Sequence, residues 1–170
     1  MMKQIISHQD CASCVDPCCR FHKSMTEFAP LFSAEEYARI AARTKDTSMF
    51  KKINDKTYTV HLVKGKEKFL TCPFLKDEKF CGIYDIAPFD CKVWPFGLMK
   101  DGKKVFLVVD LEEYCPGLER NMKLNAIKGY IGYLAKHFQS PAKKAMLKKY
   151  PSMILDYSNA LTKLLEIKAD

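Results

Sequence analysis

The sequence predicts an α+β fold, in which a small cysteine-rich β portion made of hairpins packs with several helices. Three observations favour this class. A helix start signal occurs early in the chain, segments rich in β-branched and aromatic residues occupy its middle, and apolar residues recur at helical spacing towards its end. With 170 residues, of which 48% are hydrophobic, the chain is long enough to bury a core without cross-links.

The first predicted helix spans residues 34–44. Ser33 and Glu36 have the spacing of a capping box, in which a hydroxyl and a carboxylate satisfy free amides at a helix start. Tyr37 and Ile40 then supply an apolar face. These residues predict an amphipathic helix with a defined beginning.

The predicted strands lie in the middle of the chain. Residues 57–63 and 68–71 have strand composition and are separated by a turn at Gly65, which predicts a hairpin. Residues 104–111 form a third strand candidate, which follows a turn at Gly102.

The C-terminal part of the chain is predicted to be all helical. Apolar residues from Leu124 to Phe138 recur at three- and four-residue steps. Pro141 suits the first turn of a second helix, because proline sacrifices no hydrogen bond there. A last apolar stripe, from Ile154 to Leu165, predicts one more helix.

Charge divides the chain unevenly. It carries 28 Lys and Arg against 20 Asp and Glu, a formal net charge of +8. Residues 118–170 hold ten basic and four acidic residues, a net +6, and no cysteine. We therefore expect a single domain, 1–170, with a cysteine-rich body over 11–117 and a basic helical segment over 118–170.

The lysine pairs at 143–144 and 148–149 indicate a solvated face, or contact with nucleic acid or an acidic partner.

A cytoplasmic location is expected. No stretch approaches the roughly 20 apolar residues that cross a bilayer, so no membrane partner is predicted. The first ten residues offer no secretory hydrophobic region. In a reducing cytosol, cysteines serve as metal ligands or redox groups more often than they form disulfides.

Cysteines provide the main chemical signal of this sequence. Four of the eight fall within nine residues, where a Cys-x2-Cys turn lets two sulfurs converge on one metal. Soft thiolates select zinc, copper(I) or iron–sulfur clusters over hard cations. The candidate metal and cofactor ligands are Cys11, Cys14, Cys18, Cys19, Cys72, Cys81, Cys91 and Cys115.

The number of metal sites is open at this point. Eight thiols are twice the four ligands that tetrahedral zinc or a cubane cluster takes, so two sites fit, as does one site with spare thiols. Neighbouring Cys18 and Cys19 point in opposite directions along an extended segment, which suits two nearby sites. A thioredoxin-like function of Cys11 and Cys14 would need a preceding strand, which the sequence does not indicate.

Aromatic and histidine side chains near the cysteines are predicted to surround the metal site without binding the metal. Tyr84 and residues 94–96 are predicted to form an apolar shell that keeps water from the metal, or a platform on which a nucleobase stacks. His8 and His22 flank the first cysteines and are expected at the surface or hydrogen-bonded behind the ligands.

The cysteines belong to blocks that follow one another in a fixed order. The blocks are Cys11-x2-Cys14-x3-Cys18-Cys19, Cys72-x-Phe74-Leu75, Cys81-x-Ile83-Tyr84, Pro88-x2-Cys91 and Cys115-Pro116. In this combination residues 11–117 resemble the CxxCxxCC cysteine-cluster family, also called the YkgJ-type zinc- or iron-chelating domain. Ala87 and Lys92 stand where that family has arginines, and one extra residue separates Cys14 from Cys18.

The resemblance implies a cytosolic protein with one or two iron–sulfur clusters, of the 4Fe-4S type, held by the eight cysteines. It also implies a redox, electron-transfer or modification role, because related cysteine patterns accompany a flagellin lysine methylase. A redox or other protein partner is expected for such a role. The alternative is a zinc-stabilised interaction module whose basic helices dock an acidic partner or nucleic acid. No phosphate-binding glycine loop, Ser-His-Asp arrangement or HExxH motif is present, so no catalytic residue is assigned.

Overall fold

The chain folds into two compact units. The cysteine-rich unit is Ser7–Lys92, and the sheet–helix unit combines Met1–Ile6 with Val93–Asp170. The computed structural model describes residues 3–14, 18–66, 68–77, 79–110, 115–123, 126–157, 159 and 161–168. Its mixture of helices and short strands confirms the α+β class.

The cysteine-rich unit combines short strands with short helices. The helices are α1 (His8–Ser13), α2 (Ala34–Thr44) and α3 (Phe89–Val93), with 3-10 turns at Thr26–Phe28 and Tyr84–Ile86. The strands are β1 (Arg20–His22), β2 (Phe32–Ser33), β3 (Phe50–Lys52), β4 (Thr57–Val60), β5 (Val63–Lys64), β6 (Phe69–Thr71), β7 (Leu75–Lys76) and β8 (Phe80–Cys81).

Strands of this unit pair in three small groups. The sheet order is β1-β6-β5 in one sheet and β2-β4-β3 in another, and β7 pairs with β8. The predicted hairpin is present between β5 and β6, but the run over 57–63 is divided at His61. Its first half joins β2 and β3, and its second half joins β6. Gly65 is required in the β5–β6 turn, because a Cβ there would lie 2.7 Å from Cγ2 of Thr71.

Helix α2 confirms the capping prediction. The amide of Ser33 donates to Oε2 of Glu36 at 2.9 Å, and the amide of Glu36 donates to Oγ of Ser33 at 3.3 Å. The helix ends at Lys45, whose φ of 55° is left-handed. Ile40 lies at 0% exposure in a core of packed apolar residues from α2 and the surrounding strands. Buried with it are Phe32, Phe50, Val60, Cys72, Phe74 and Ile83.

The sheet–helix unit packs helices with a sheet of order β11-β9-β10-β12. Its elements are β9 (Phe96–Asp101), β10 (Lys104–Val109), α4 (Pro116–Lys123), α5 (Ala126–Gln139), α6 (Pro141–Lys149), a 3-10 turn at Pro151–Met153, β11 (Leu155–Asp156) and β12 (Thr162–Ile167). The predicted turn at Gly102 joins β9 to β10, and α5 and α6 confirm two of the predicted helices. Leu111 and Leu124, at the ends of two predicted elements, lie outside the described residues.

The predicted last helix through 154–165 is wrong, because this segment contains β11 and β12. Strand β12 pairs antiparallel with β10, and the register passes from Leu107–Leu165 to Val108–Lys163. Leu164 is therefore the extra residue of a β-bulge, which interrupts the two-residue alternation of a strand. Leu164 and Leu165 are adjacent at this bulge, and with the apolar residues before them they give the three- and four-residue spacing that predicted a helix. The C-terminal part is thus helical over α4–α6 and ends in strands.

Helix α5 forms the centre of the sheet–helix unit. Leu134 and Phe138 are fully buried, as is Leu107 of the sheet. The chain start is fixed on this helix, since the hydroxyl of Tyr130 donates to the carbonyl of Lys3 and the amide of Lys3 donates to the hydroxyl of Tyr133, both at 2.9 Å. Among the described residues, no helix has both the length and the apolar character needed to cross a bilayer.

Candidate metal centre

The ladder between β1 and β6 brings Cys19 beside Cys72. Arg20 pairs with Thr71, and one step further the amide of Cys72 donates to the carbonyl of Cys19 at 2.8 Å. Backbone pairing thus places two cysteines side by side that are far apart in the sequence. Cys72 is only 6% exposed, within the apolar core.

The β7–β8 hairpin adds Cys81 to this region. Leu75 pairs with Cys81, and the amide of Leu75 donates to the carbonyl of Cys72 at 3.0 Å. The chain that leaves Cys72 therefore turns and returns at Cys81. Both Cys19 and Cys81 pack against the core that contains Cys72.

Cys91 comes from α3, which two carboxylates attach to the rest of the unit. Oε1 of Glu36 accepts from the amide of Phe89 at 2.6 Å, and Oδ2 of Asp90 accepts from the amide of Leu31 at 3.0 Å. Burial is the main reason that the pKa of Asp90 is raised to about 6, and the nearby charge of Glu36 adds to it.

The thiols of these segments interact electrostatically. Burial raises the pKa of Cys72 to about 12, and the charges of Cys81 and Cys18 act in the same direction. Cys91 is exposed as a whole residue, but desolvation of its thiol raises its pKa well above the usual value, followed by the charges of Asp90, Cys72, Cys81 and Cys18. We call Cys18, Cys19, Cys72, Cys81 and Cys91 the five-thiol group.

Cys19 and Cys81 respond to the same neighbours. A hydrogen bond with Cys18 lowers the pKa of Cys19, but burial and the charges of Cys72, Cys91 and Cys81 together raise it. The pKa of Cys81 is raised first by burial and then by Cys18 and Asp85. Since each thiolate makes the next one harder to form, the group is a poor site for bare thiolates.

A bound soft cation would favour the thiolate forms of these cysteines over the protonated forms. It would stabilise thiolates that repel one another, and binding would release their protons. The donor chemistry therefore fits a thiophilic metal or an iron–sulfur cluster. Within the described ranges, however, no set of three or more His, Cys, Asp or Glu side chains is positioned to hold a single metal ion. All eight cysteines are described, and none of them forms a disulfide.

Cys11 lies in α1 and Cys14 follows its last residue. Ser7 and Asp10 form a capping box at the start of this helix. Burial raises the pKa of Tyr84 to about 12, and the next contributions come from Cys11, Asp10 and Cys81. Tyr84 is thus close to cysteines of both α1 and the five-thiol group.

The surroundings of α1 are partly aromatic and partly open. The ring of His8 lies 4.6 Å from that of Tyr84, centroid to centroid. Cys14 lines a cavity of about 720 Å³ together with Ala12, Ser13, Arg20, Lys66, Asp77 and Lys79. His22, the other histidine near the first cysteines, is exposed, and its Nδ1 lies 2.7 Å from Oγ of Ser24.

Cys115 belongs to the sheet–helix unit. It immediately precedes α4, and its carbonyl accepts from the amide of Glu119 at 2.9 Å. Seven of the eight predicted ligands therefore belong to the cysteine-rich unit, five of them in one interacting group. That Cys115 binds the metal stays a prediction from the sequence.

Two residues that support the site were missed from the sequence. Glu36 was recognised as a cap for α2, but its bond to Phe89 depends on the tertiary fold. Asp90 is adjacent to Cys91, yet nothing in the sequence indicated its bond to Leu31. The only available signal was the presence of carboxylates near candidate ligands, which is too common to be informative.

No family model, curated protein or solved structure matches the chain. The resemblance of residues 11–117 to the CxxCxxCC family stays a prediction made from the cysteine blocks. The suitability of the site for a thiophilic metal is argued from its own side chains.

Proposed function

We propose that the protein is a cytoplasmic iron–sulfur protein whose cluster is held by cysteine thiolates. The observation that carries this proposal is the five-thiol group, in which backbone pairing holds Cys19 beside Cys72 and places Cys81 opposite Leu75, while Cys18 and Cys91 interact electrostatically with the same thiols. A cubane cluster takes four thiolate ligands, and the group offers five. Cys11 and Cys14 at α1 are the other candidate ligands of the cysteine-rich unit, and Cys115 stays a candidate from the sequence.

The environment suits a redox group. Cys72 is buried, and apolar side chains that include Phe74 and Ile83 pack around it. Such a shell limits the access of water and influences the reduction potential of a bound cluster. A cluster of this type supplies one-electron chemistry, so electron transfer, redox sensing or a modification reaction with a protein partner are the functions proposed.

Iron–sulfur is preferred to zinc because of the family resemblance, and direct analysis separates the two. The protein should be purified without oxygen and its iron, sulfide and zinc measured together with its visible absorption. We expect iron and sulfide in about equal amounts with broad charge-transfer absorption. Colourless protein with stoichiometric zinc, and no iron or sulfide after anaerobic reconstitution, would overturn the proposal.

The second candidate is a zinc-stabilised interaction module. A groove of about 110 Å³ in the sheet–helix unit favours it, because apolar side chains line it and lysines of α6 lie beside them. The residues that line this groove are Val105, Phe138, Lys144, Leu147, Lys148, Ile154 and Ile167. Lysines next to an apolar groove suit an acidic segment with a bulky apolar side chain, or the phosphates of nucleic acid.

Salt dependence tests this second candidate. Binding of a mixed-sequence DNA or RNA duplex should weaken steeply as salt rises, and Lys144→Ala with Lys148→Ala should reduce the slope by about two. Absent or salt-insensitive binding would rule out the nucleic-acid function. Purified protein that contains no zinc would rule out the zinc-stabilised module.

A further inference from the structure

We propose that a polar stripe on α2 positions Cys91 for metal ligation, with Glu36 as the main positioning residue. This inference rests on the proposed metal-binding function and adds a residue that contacts no metal. It concerns the segment from Asp85 to Cys91, which leads into α3.

The stripe consists of Glu36, Arg39 and Arg43. These residues are three and four positions apart, so their side chains share one face of the helix. Tyr37 and Ile40, which contact the core, belong to the adjoining apolar face. One helix thus joins the apolar core on one side and a polar segment on the other.

All three side chains of the stripe meet the segment before Cys91. Arg43 forms an ion pair with Asp85, and Nη2 of Arg39 donates to the carbonyl of Ile86 at 3.3 Å. Oε1 of Glu36 accepts from the amide of Phe89, the first residue of α3, at 2.6 Å. Successive turns of α2 therefore hold successive parts of this segment.

Glu36 makes the strongest of these contacts. The side chains of Arg43 and Asp85 are 52% and 61% exposed, and exposed ion pairs contribute little. The Glu36 contact is a short, charge-assisted hydrogen bond in a partly buried place. Its other oxygen accepts from the amide of Ser33, so the carboxylate is already fixed in orientation by the capping box.

Helix α3 needs such an anchor because it is only five residues long. A helix of that length does not persist without tertiary contacts. Asp90, through its bond to Leu31, provides a second attachment on the next residue. Cys91 follows directly, so the position of its thiol relative to Cys72 and Cys81, whose charges act on it, depends on where α3 begins.

Two matched variants separate positioning from helix capping. Ser33→Ala and Glu36→Ala each break the capping box of α2, but only Glu36→Ala releases the amide of Phe89. Both should be purified anaerobically as full-length proteins, with thermal unfolding, iron and sulfide content, and the electron paramagnetic resonance spectrum of the reduced cluster. Glu27→Gln, at an exposed residue of the same unit, controls for the loss of one negative charge.

We expect Glu36→Ala to bind the metal about tenfold or more weakly and to change the resonance spectrum of the remaining cluster. Ser33→Ala and Glu27→Gln should keep the wild-type spectrum and cluster content. If Glu36→Ala does not fold, Glu36→Gln keeps an oxygen near Phe89 without the charge and should give the same changes in smaller degree. Equal cluster content and spectra in Ser33→Ala and the Glu36 variants would overturn the positioning role alone. Wild-type protein without iron and sulfide would overturn the proposed function, and if it also lacked zinc it would overturn this inference as well.

Discussion

The amide of Cys72 donates to the carbonyl of Cys19 at 2.8 Å, one step beyond the Arg20–Thr71 pair of the β1–β6 ladder. Two candidate ligands are thus held together by backbone pairing and not by their side chains. The ladder fixes the positions of the two α-carbons. Mutation of either thiol should therefore test ligation with little change to the backbone.

Replacing Cys72 by serine should remove the metal and lower stability. The side chain is only 6% exposed, so a hydroxyl there has apolar neighbours and its burial costs about 1–3 kcal/mol. Metal analysis and thermal unfolding measure the two effects. Cys72→Ala is the control, because it loses the thiolate without burying a hydroxyl. Unchanged metal content in both variants would show that Cys72 is no ligand.

Cys14→Ser tests whether the cysteines of α1 take part. The sequence predicts loss of metal and poor folding, since Cys14 belongs to the first block of thiols. Because Cys14 lines a cavity and is not in the apolar core, its loss should lower stability mainly through the metal. Stability is therefore best compared with and without a chelator. Wild-type metal content and melting would remove Cys14 from the ligand set.

Metal affinity should fall steeply as the pH is lowered. Burial and neighbouring charges raise the pKa values of Cys19, Cys72, Cys81 and Cys91, so these thiols carry protons near neutral pH. A metal with four thiolate ligands must displace about four protons, and each one adds about one tenfold change in affinity per pH unit. Competition between the apoprotein and a chromophoric chelator for Zn²⁺, from pH 6 to pH 8, measures this slope. A pH-independent affinity would exclude protonated thiols as the ligands.

Two glycine-to-alanine variants should have opposite effects. A Cβ at Gly65 would lie 2.7 Å from Cγ2 of Thr71 and 3.1 Å from the carbonyl oxygen of Phe69, so Gly65→Ala should destabilise the protein by about 1–3 kcal/mol. A Cβ at Gly129, inside α5, has no atom within 4 Å, and Gly129→Ala should stabilise by about 0.5–1 kcal/mol. Chemical denaturation measures both. Equal stability of the two variants would contradict the tight β5–β6 turn.

His137 should make the protein less stable in acid. Burial, with the charge of Lys143, lowers the pKa of His137 below its usual 6.5, and its buried Nε2 has no hydrogen-bond partner among the described residues. The folded state therefore resists protonation that the unfolded chain accepts. Stability is unaffected well above pH 6.5 and decreases as the pH falls below that value. His137→Phe keeps a ring beside Tyr133 and should reduce this decrease, as thermal unfolding at pH 8 and pH 5 would show. A variant with the same pH dependence as wild type would assign the acid sensitivity to other groups.

Local signals correctly predicted where α2 and α6 begin. The capping box of Ser33 and Glu36 and the first-turn proline at Pro141 act within a few residues, so the sequence contains all that they require. Strand β12 depends on its partner β10 and contains a bulge at Leu164, and neither feature is visible in its own residues. Helical spacing was therefore a misleading guide at the end of the chain.

The sequence named the cysteines of the candidate site as ligands, which stays a prediction, and it did not indicate their arrangement. Cysteine spacing singled out the thiols as candidates, because soft donors grouped in this way are typical of metal sites. Their grouping depends on strand pairing between β1 and β6 and on the β7–β8 hairpin. The attachment of α3 by Glu36 is likewise a long-range contact, which residue type alone does not indicate.

The placement of the ligands along the chain has a consequence for folding. Cys11, Cys14, Cys18 and Cys19 are neighbours even in an unfolded chain, whereas Cys72, Cys81 and Cys91 join them only after long loops have closed. A soft metal present during refolding would meet the local thiols first. We therefore expect that metal added before folding binds these four local thiols in a non-native combination. This binding should slow the pairing of strand β1 with strand β6. Metal supplied to the folded apoprotein should give the higher yield of native protein.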